Sequence, residues 1–134
     1  MAISVRIDTQ SNRIFLSVTD SFRFPDFFGA WRKILQNPDY EPNQTMVWDL
    51  TTMDASSLLD SDLERIAEFM QGQARVSGCP INVALIAPTR ATYGLAKSYL
   101  AFLLEGQTNF SIFRSRTSGE AWLQQCLDQK KAVD

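Results

Sequence analysis

Residues 46–64 read MVWDLTTMDASSLLDSDLE, and this stretch decides the fold. From Thr45 to Leu50 the chain is almost continuously apolar, the pattern of a strand covered on both faces rather than on one. A polar loop follows, carrying Thr51, Thr52, Asp54 and a pair of serines. Ser61-Asp-Leu-Glu64 then fits the capping box that opens a helix, with Asp62 placed favourably near the positive end of the helix dipole. Leu63, Ile66, Ala67, Met70 and Ala74 recur on one helical face, and Gly78-Cys-Pro80 closes the element. Strand, loop and helix in this order form half of a βαβ unit.

The same unit recurs on either side. Downstream, Ile81 to Ala87 (INVALIA) is a second buried strand stopped by Pro88. A helix is expected from Arg90 to Leu104, with Gly106 as its C-terminal cap. Phe110 to Phe113 is a short third parallel strand, and residues 117–130 a last helix with Ala121, Trp122, Cys126 and Leu127 facing inward. Lys130 to Asp134 is expected to fray. Upstream, Ile3, Val5 and Ile7 alternate with polar residues, Thr9 to Asn12 supply a turn, and Ile14, Leu16 and Val18 resume the alternation. Residues 2–19 therefore read as an antiparallel hairpin with one wet face. Phe24, Phe27, Phe28, Trp31, Ile34 and Leu35 follow at helical spacing and are expected to be core, with Pro25 in the first turn and Asn37-Pro38 at the end. Residues 38–44 form a turn-rich link. The order ββαβαβαβα predicts a single α/β domain over residues 1–134, with a mostly parallel sheet, right-handed crossovers and an N-terminal antiparallel hairpin.

Composition narrows the function. At 134 residues and 45% hydrophobic content the chain suits one globular core. A net charge of −2 and a pI near 5.1 argue against an extended nucleic-acid surface. The chain contains no histidine, which removes Ser-His-Asp and Cys-His catalysis and the usual nitrogen ligands of zinc. Cys79 and Cys126 lack a CxxC spacing and read as reduced structural thiols of a cytoplasmic protein. No apolar run approaches the ~18 residues of a membrane span. No cofactor or metal is expected, and no enzymatic activity.

Several motifs suit structural roles as well as chemical ones. Tyr93 and Lys97 have the Y-x-x-x-K spacing of a proton-transfer pair, but no glycine fingerprint for a nicotinamide accompanies it. Asp49, Asp54, Asp60 and Asp62 lack the spacing of a calcium loop and suit turns and caps. Arg90, Arg114 and Arg116 follow strands, and with Asp49 they should emerge at the carboxyl edge of the sheet, where open α/β sheets place ligands. Together they make a candidate anion site, the arginines offering bidentate donors. The helix beginning at Arg90 carries an apolar arc of roughly 200°, wider than one sheet contact needs. Leu95, Tyr99, Phe102 and Leu103 on its outer flank are the candidate homodimer interface.

VWDL, DSDL, VALIAP, YGLAKSYLAFL and FRSRTSGEAWL, taken in order along nearly the whole chain, resemble the SpoIIAA-like family of bacterial STAS-type domains. The resemblance implies a small cytoplasmic domain of largely unassigned function, in a wider group that includes partner-binding anti-sigma-factor antagonists and lipid carriers. In the antagonists a serine at the start of this second helix accepts phosphate. The matched position here is Asp62, which no Ser/Thr kinase can modify, so Ser61 is the remaining phosphorylation candidate and the N-cap its expected role. The leading expectation is a protein-interaction or regulatory module. The alternative is a small-molecule or lipid-binding domain with an apolar pocket and arginines at its mouth.

Overall fold

The computed structural model describes residues 3–56, 58–103 and 108–133. Nine elements follow in the expected order: β1 (Ile3–Asp8), β2 (Arg13–Asp20), α1 (Phe24–Gln36), β3 (Thr45–Met53), α2 (Asp60–Ser77), β4 (Ile81–Ile86), α3 (Arg90–Leu100), β5 (Thr108–Phe113) and α4 (Arg116–Val133). The strands form one sheet in the order β1-β2-β3-β4-β5. The β1–β2 pair is antiparallel, and every later pair is parallel.

This strand order has a geometric consequence. A chain that adds parallel strands always in one direction, through crossovers of one hand, must lay every crossover helix on the same face. One core cluster accordingly unites α1, α2 and α3 with Ile14, Leu16, Met46, Trp48, Val83 and Leu85 of the sheet. The alternate strand residues Phe15, Val47, Ala84 and Ile86 point the other way and meet α4 through Leu123. Period-two alternation thus sorts each strand between a three-helix inner layer and a one-helix outer layer.

Several expectations need correction. β3 continues past Leu50 to Met53, so Thr51 and Thr52 belong to the strand; a register shift between Ser17 and Thr19 lets the two strands keep pairing, Thr19 with Thr52 and Asp20 with Met53. α2 starts one residue before Ser61. Its N-cap is Leu59, and Ser61 lies exposed in the first turn. Asp62 satisfies the helix start instead, accepting the Leu59 N–H at 3.2 Å, the Phe24 N–H at 3.1 Å and the Arg23 Nε–H at 2.6 Å. It is 3% exposed and ties the start of α1 to the start of α2. α3 begins with a reciprocal box in which Thr89 Oγ1 accepts from Thr92 N–H and Thr92 Oγ1 accepts from Thr89 N–H. Its helical bounds end at Leu100, and Leu104 and Gly106 lie outside the described residues.

The inward faces of two helices also differ from the expected ones. In α1 the buried set is Phe27, Ala30, Trp31 and Ile34, whereas Phe28 and Leu35 are exposed. In α4, Gly119 and Leu123 reach the sheet while Ala121 is exposed. Gly119 is what lets α4 sit so low: a Cβ there would lie 2.7 Å from Ile86 Cδ1 and 3.2 Å from Ala84 Cβ. Ser115 opens this helix, its Oγ accepting from Ser118 N–H. α4 then extends to Val133, through most of the tail expected to fray. Among the described residues no helix is long and apolar enough to cross a membrane.

Candidate ligand-binding site

α4 packs chiefly against β4, β5 and β3 and reaches β2 at Arg13 and Phe15, leaving the rest of the outer face of the hairpin without a helix. Cross-strand register fixes which side chains this exposes. Arg6 pairs with Phe15 and Phe15 with Val47, making one row; Ser4 pairs with Ser17 and Ser17 with Asp49, making the next. These residues, with Arg116 from the first turn of α4, line a cavity of about 330 Å3. That volume lies within the roughly 300–1,000 Å3 range of small-molecule sites.

The floor of the cavity is Phe15, the one large aromatic among the outward-facing residues of the hairpin. Two guanidiniums lie over its ring, Arg6 with its Cζ 4.3 Å from the centroid and Arg116 at 4.5 Å. A guanidinium carries five N–H donors and no acceptor, so contact with an aromatic ring leaves donors able to bind an anion. Arg116 is steadied from α4 itself, its Nε 3.4 Å from Glu120 Oε2. The other oxygen of Glu120 accepts from Arg13 at 3.1 Å, and Arg13 Nε donates to Thr45 Oγ1. Arg13 is 6% exposed, so its charge depends on this pairing. Among the described residues no salt bridge engages Arg6.

Opposite the arginines stands Asp49. Its Oδ1 accepts from both the N–H and the hydroxyl of Thr51, which fixes the carboxylate at the rim. Among the described residues Oδ2 has no protein partner, nor do the hydroxyls of Ser4 and Ser17. The cavity therefore presents cationic donors over an aromatic floor on one side and carboxylate and hydroxyl groups on the other.

Two of the four residues expected at an anion site, Asp49 and Arg116, come together here. The other two do not join them. Arg114 lies over Tyr93 at 4.6 Å and donates to the Pro88 carbonyl, and Arg90 is the exposed first residue of α3. A ligand crevice at the carboxyl edge opens where strand order reverses, and the order β1-β2-β3-β4-β5 has no reversal. Arg6, Phe15, Ser4 and Ser17 were not anticipated. Their signal was Phe15, an aromatic on the wet face of a hairpin otherwise occupied by Ser, Arg, Asp and Thr. Lys97 sits over the Tyr93 ring at 5.5 Å, a cation–π contact rather than a proton-transfer pair.

A second, smaller cavity of about 40 Å3 lies on the inner face between α2 and α3, walled by Leu63, Ile66, Leu85, Leu95, Trp48 and Tyr99 among others. It bears on the expected interface. Tyr99 is 4% exposed and packs on Trp48 and Phe110 with ring centroids 5.9 Å and 5.1 Å away. α3 is rotated relative to the expected orientation, so that Thr92, Ala96 and Tyr99 are its buried residues and the Tyr99 ring packs on Trp48 and Phe110. Leu95, Phe102 and Leu103 are half-buried flanks of the same core. The surface left for a second subunit is narrower than the sequence suggested. Trp48 Nε1 and the Tyr99 hydroxyl are both buried without a hydrogen-bond partner among the described residues. Burial pushes the Tyr99 hydroxyl well above its ordinary value of 10.0.

Comparison with family models and with curated proteins finds no match for this chain.

Proposed function

We propose that this domain binds a small anionic molecule on the uncovered outer face of its sheet and works by binding rather than by catalysis. The observation that carries the reading is the pair of guanidiniums lying over Phe15 at the wall of a ligand-sized cavity. Guanidiniums stay protonated across the physiological range, which suits them to hold charge rather than to transfer protons. The resemblance of the sequence motifs to the SpoIIAA-like family supports placing the domain among regulatory binding modules of a bacterial cytoplasm. Self-association through Leu95, Phe102 and Leu103, suggested by the wide apolar arc of α3, and phosphorylation at the exposed Ser61, suggested by the resemblance, are further parts of the proposal.

Isothermal titration with pentanoate and with inorganic phosphate tests the reading. The wild type is expected to bind at least one of them, and the Arg6→Gln/Arg116→Gln double variant to lose at least about tenfold in affinity, the loss of one charge-assisted contact. Absence of binding to both anions, or binding indifferent to the double variant, contradicts it.

A further inference from the structure

We infer that the ligand of the outer-face cavity is amino-acid-like, a small molecule with an acidic group at one end and an ammonium at the other; the inference rests on the anion-binding reading above and extends it. The charges in the cavity are segregated by register. Arg6 and Arg116 both lie against Phe15, in the row Arg6–Phe15–Val47. Asp49 lies in the next row outward on the same face, Ser4–Ser17–Asp49. Successive same-face residues along a strand are about 6.6 Å apart, so the cationic and anionic ends of the cavity are offset by the length of a short carbon chain.

This arrangement disfavours a ligand that is anionic throughout. A dicarboxylate spanning the two rows would satisfy the arginines at one end and set a second carboxylate against Asp49 at the other. The uncommitted Oδ2 of Asp49 accepts hydrogen bonds and can donate none while ionised. Guanidiniums in turn accept nothing, so every donor on the ligand must be met by Asp49 or by the hydroxyls of Ser4 and Ser17. A terminal ammonium has three donors for these three acceptors. Phe15 and Val47, within the arginine row, offer an apolar surface for the methylenes nearest the acidic end.

Three five-carbon probes separate the terms: pentanoate, 5-aminopentanoate and glutarate, each titrated calorimetrically into the wild type and Asp49→Asn. An asparagine Oδ1 still accepts from Thr51, so the rim is expected to keep its shape, and an unchanged thermal transition verifies that. The wild type should bind 5-aminopentanoate about tenfold more tightly than pentanoate and should bind glutarate no better than pentanoate, the size of one partly solvated charge pair. Asp49→Asn should erase the preference for the amine, with pentanoate bound no more weakly than by the wild type because a repelling carboxylate is gone. Equal affinity for pentanoate and 5-aminopentanoate, or a preference that survives Asp49→Asn, overturns the inference while leaving the anion-binding reading intact. The same holds if phosphate binds and no carboxylate does. Failure of pentanoate and phosphate alike removes the underlying reading and this inference with it.

Discussion

The inner face of the sheet is roofed by three helices and the outer face by one, and the two faces differ in chemistry. On the inner face Phe27, Trp31, Trp48, Phe69, Tyr99 and Phe110 form a connected aromatic cluster, with centroid separations between 5.1 and 6.4 Å. Its polar groups are few, and Asp62 is held by three donors. On the outer face α4 covers chiefly the β3–β5 side, and the hairpin side keeps arginines, serines and an aspartate around a single phenylalanine. Sequential strand order with crossovers of one hand makes this asymmetry unavoidable, because a single helix cannot roof five strands spaced about 4.8 Å apart. Stability should therefore depend mainly on the inner face, and ligand chemistry on the outer one.

The largest expected break in that division is Trp48→Ala. Trp48 is 6% exposed and meets Phe27, Tyr99 and Phe110, so the truncation should cost about 3–5 kcal/mol in urea unfolding. A loss below about 1 kcal/mol, the range of surface changes, would show that the inner cluster is not the core.

Gly119→Val tests how α4 attaches to the other face. Its added carbons would enter Ile86 and Ala84, and overpacking of this kind costs about 1–3 kcal/mol. Trp122, beside Phe113 at 5.6 Å, should report the lifted helix as a change in fluorescence. Unchanged stability and emission would mean that α4 is held more loosely than its geometry indicates.

Asp62 sharpens the comparison through pH. Burial works to raise its carboxyl, but the hydrogen bonds from Phe24, Arg23 and Leu59 outweigh burial and hold it below its ordinary value of 3.8. A depressed value in the folded state means stability that is present above the ordinary carboxylate range and lost as pH falls below it. Asp62→Asn should remove roughly 1–3 kcal/mol at neutral pH and flatten the acid limb of the stability profile. An acid limb identical in the two proteins would assign acid sensitivity to other carboxylates.

The smallest expected effect separates two helix starts. Thr89→Ala removes a side-chain cap that the Thr92 N–H uses at 3.1 Å and should cost about 0.5–2 kcal/mol. Ser61→Ala, at an exposed first-turn position, should stay within about 0.5 kcal/mol. The reverse ranking would restore Ser61 as the cap.

The element order and strand faces were legible because burial imposes period two on a strand and 3.6 on a helix, and this chain follows both. Helix starts were less so. Ser61-x-x-Glu64 satisfies the capping pattern, yet Asp62 is drawn into contacts with Arg23 and Phe24 far back in sequence, and local pattern carries no trace of such partners. The orientation of α3 was missed for a similar reason. Its wheel is apolar through so wide an arc that the pattern alone does not fix its rotation, and the contacts of Tyr99 with Trp48 and Phe110 are distant in sequence. Asp49 and Arg116 could be placed near strand ends from the sequence, but the cavity required knowing which strands α4 leaves bare. The wet face of a hairpin ordinarily faces solvent, so Arg6, Ser4 and Ser17 gave no warning.

The most direct measurement is an amide chemical-shift map, recorded while 5-aminopentanoate, pentanoate or phosphate is titrated into the isotopically labelled protein. The account predicts that the largest shifts fall on Ser4, Arg6, Phe15, Ser17, Asp49 and Arg116, with Leu63, Ala96 and Tyr99 on the inner face silent. Shifts concentrated between α2 and α3, or none at the hairpin with any of the three, would contradict it.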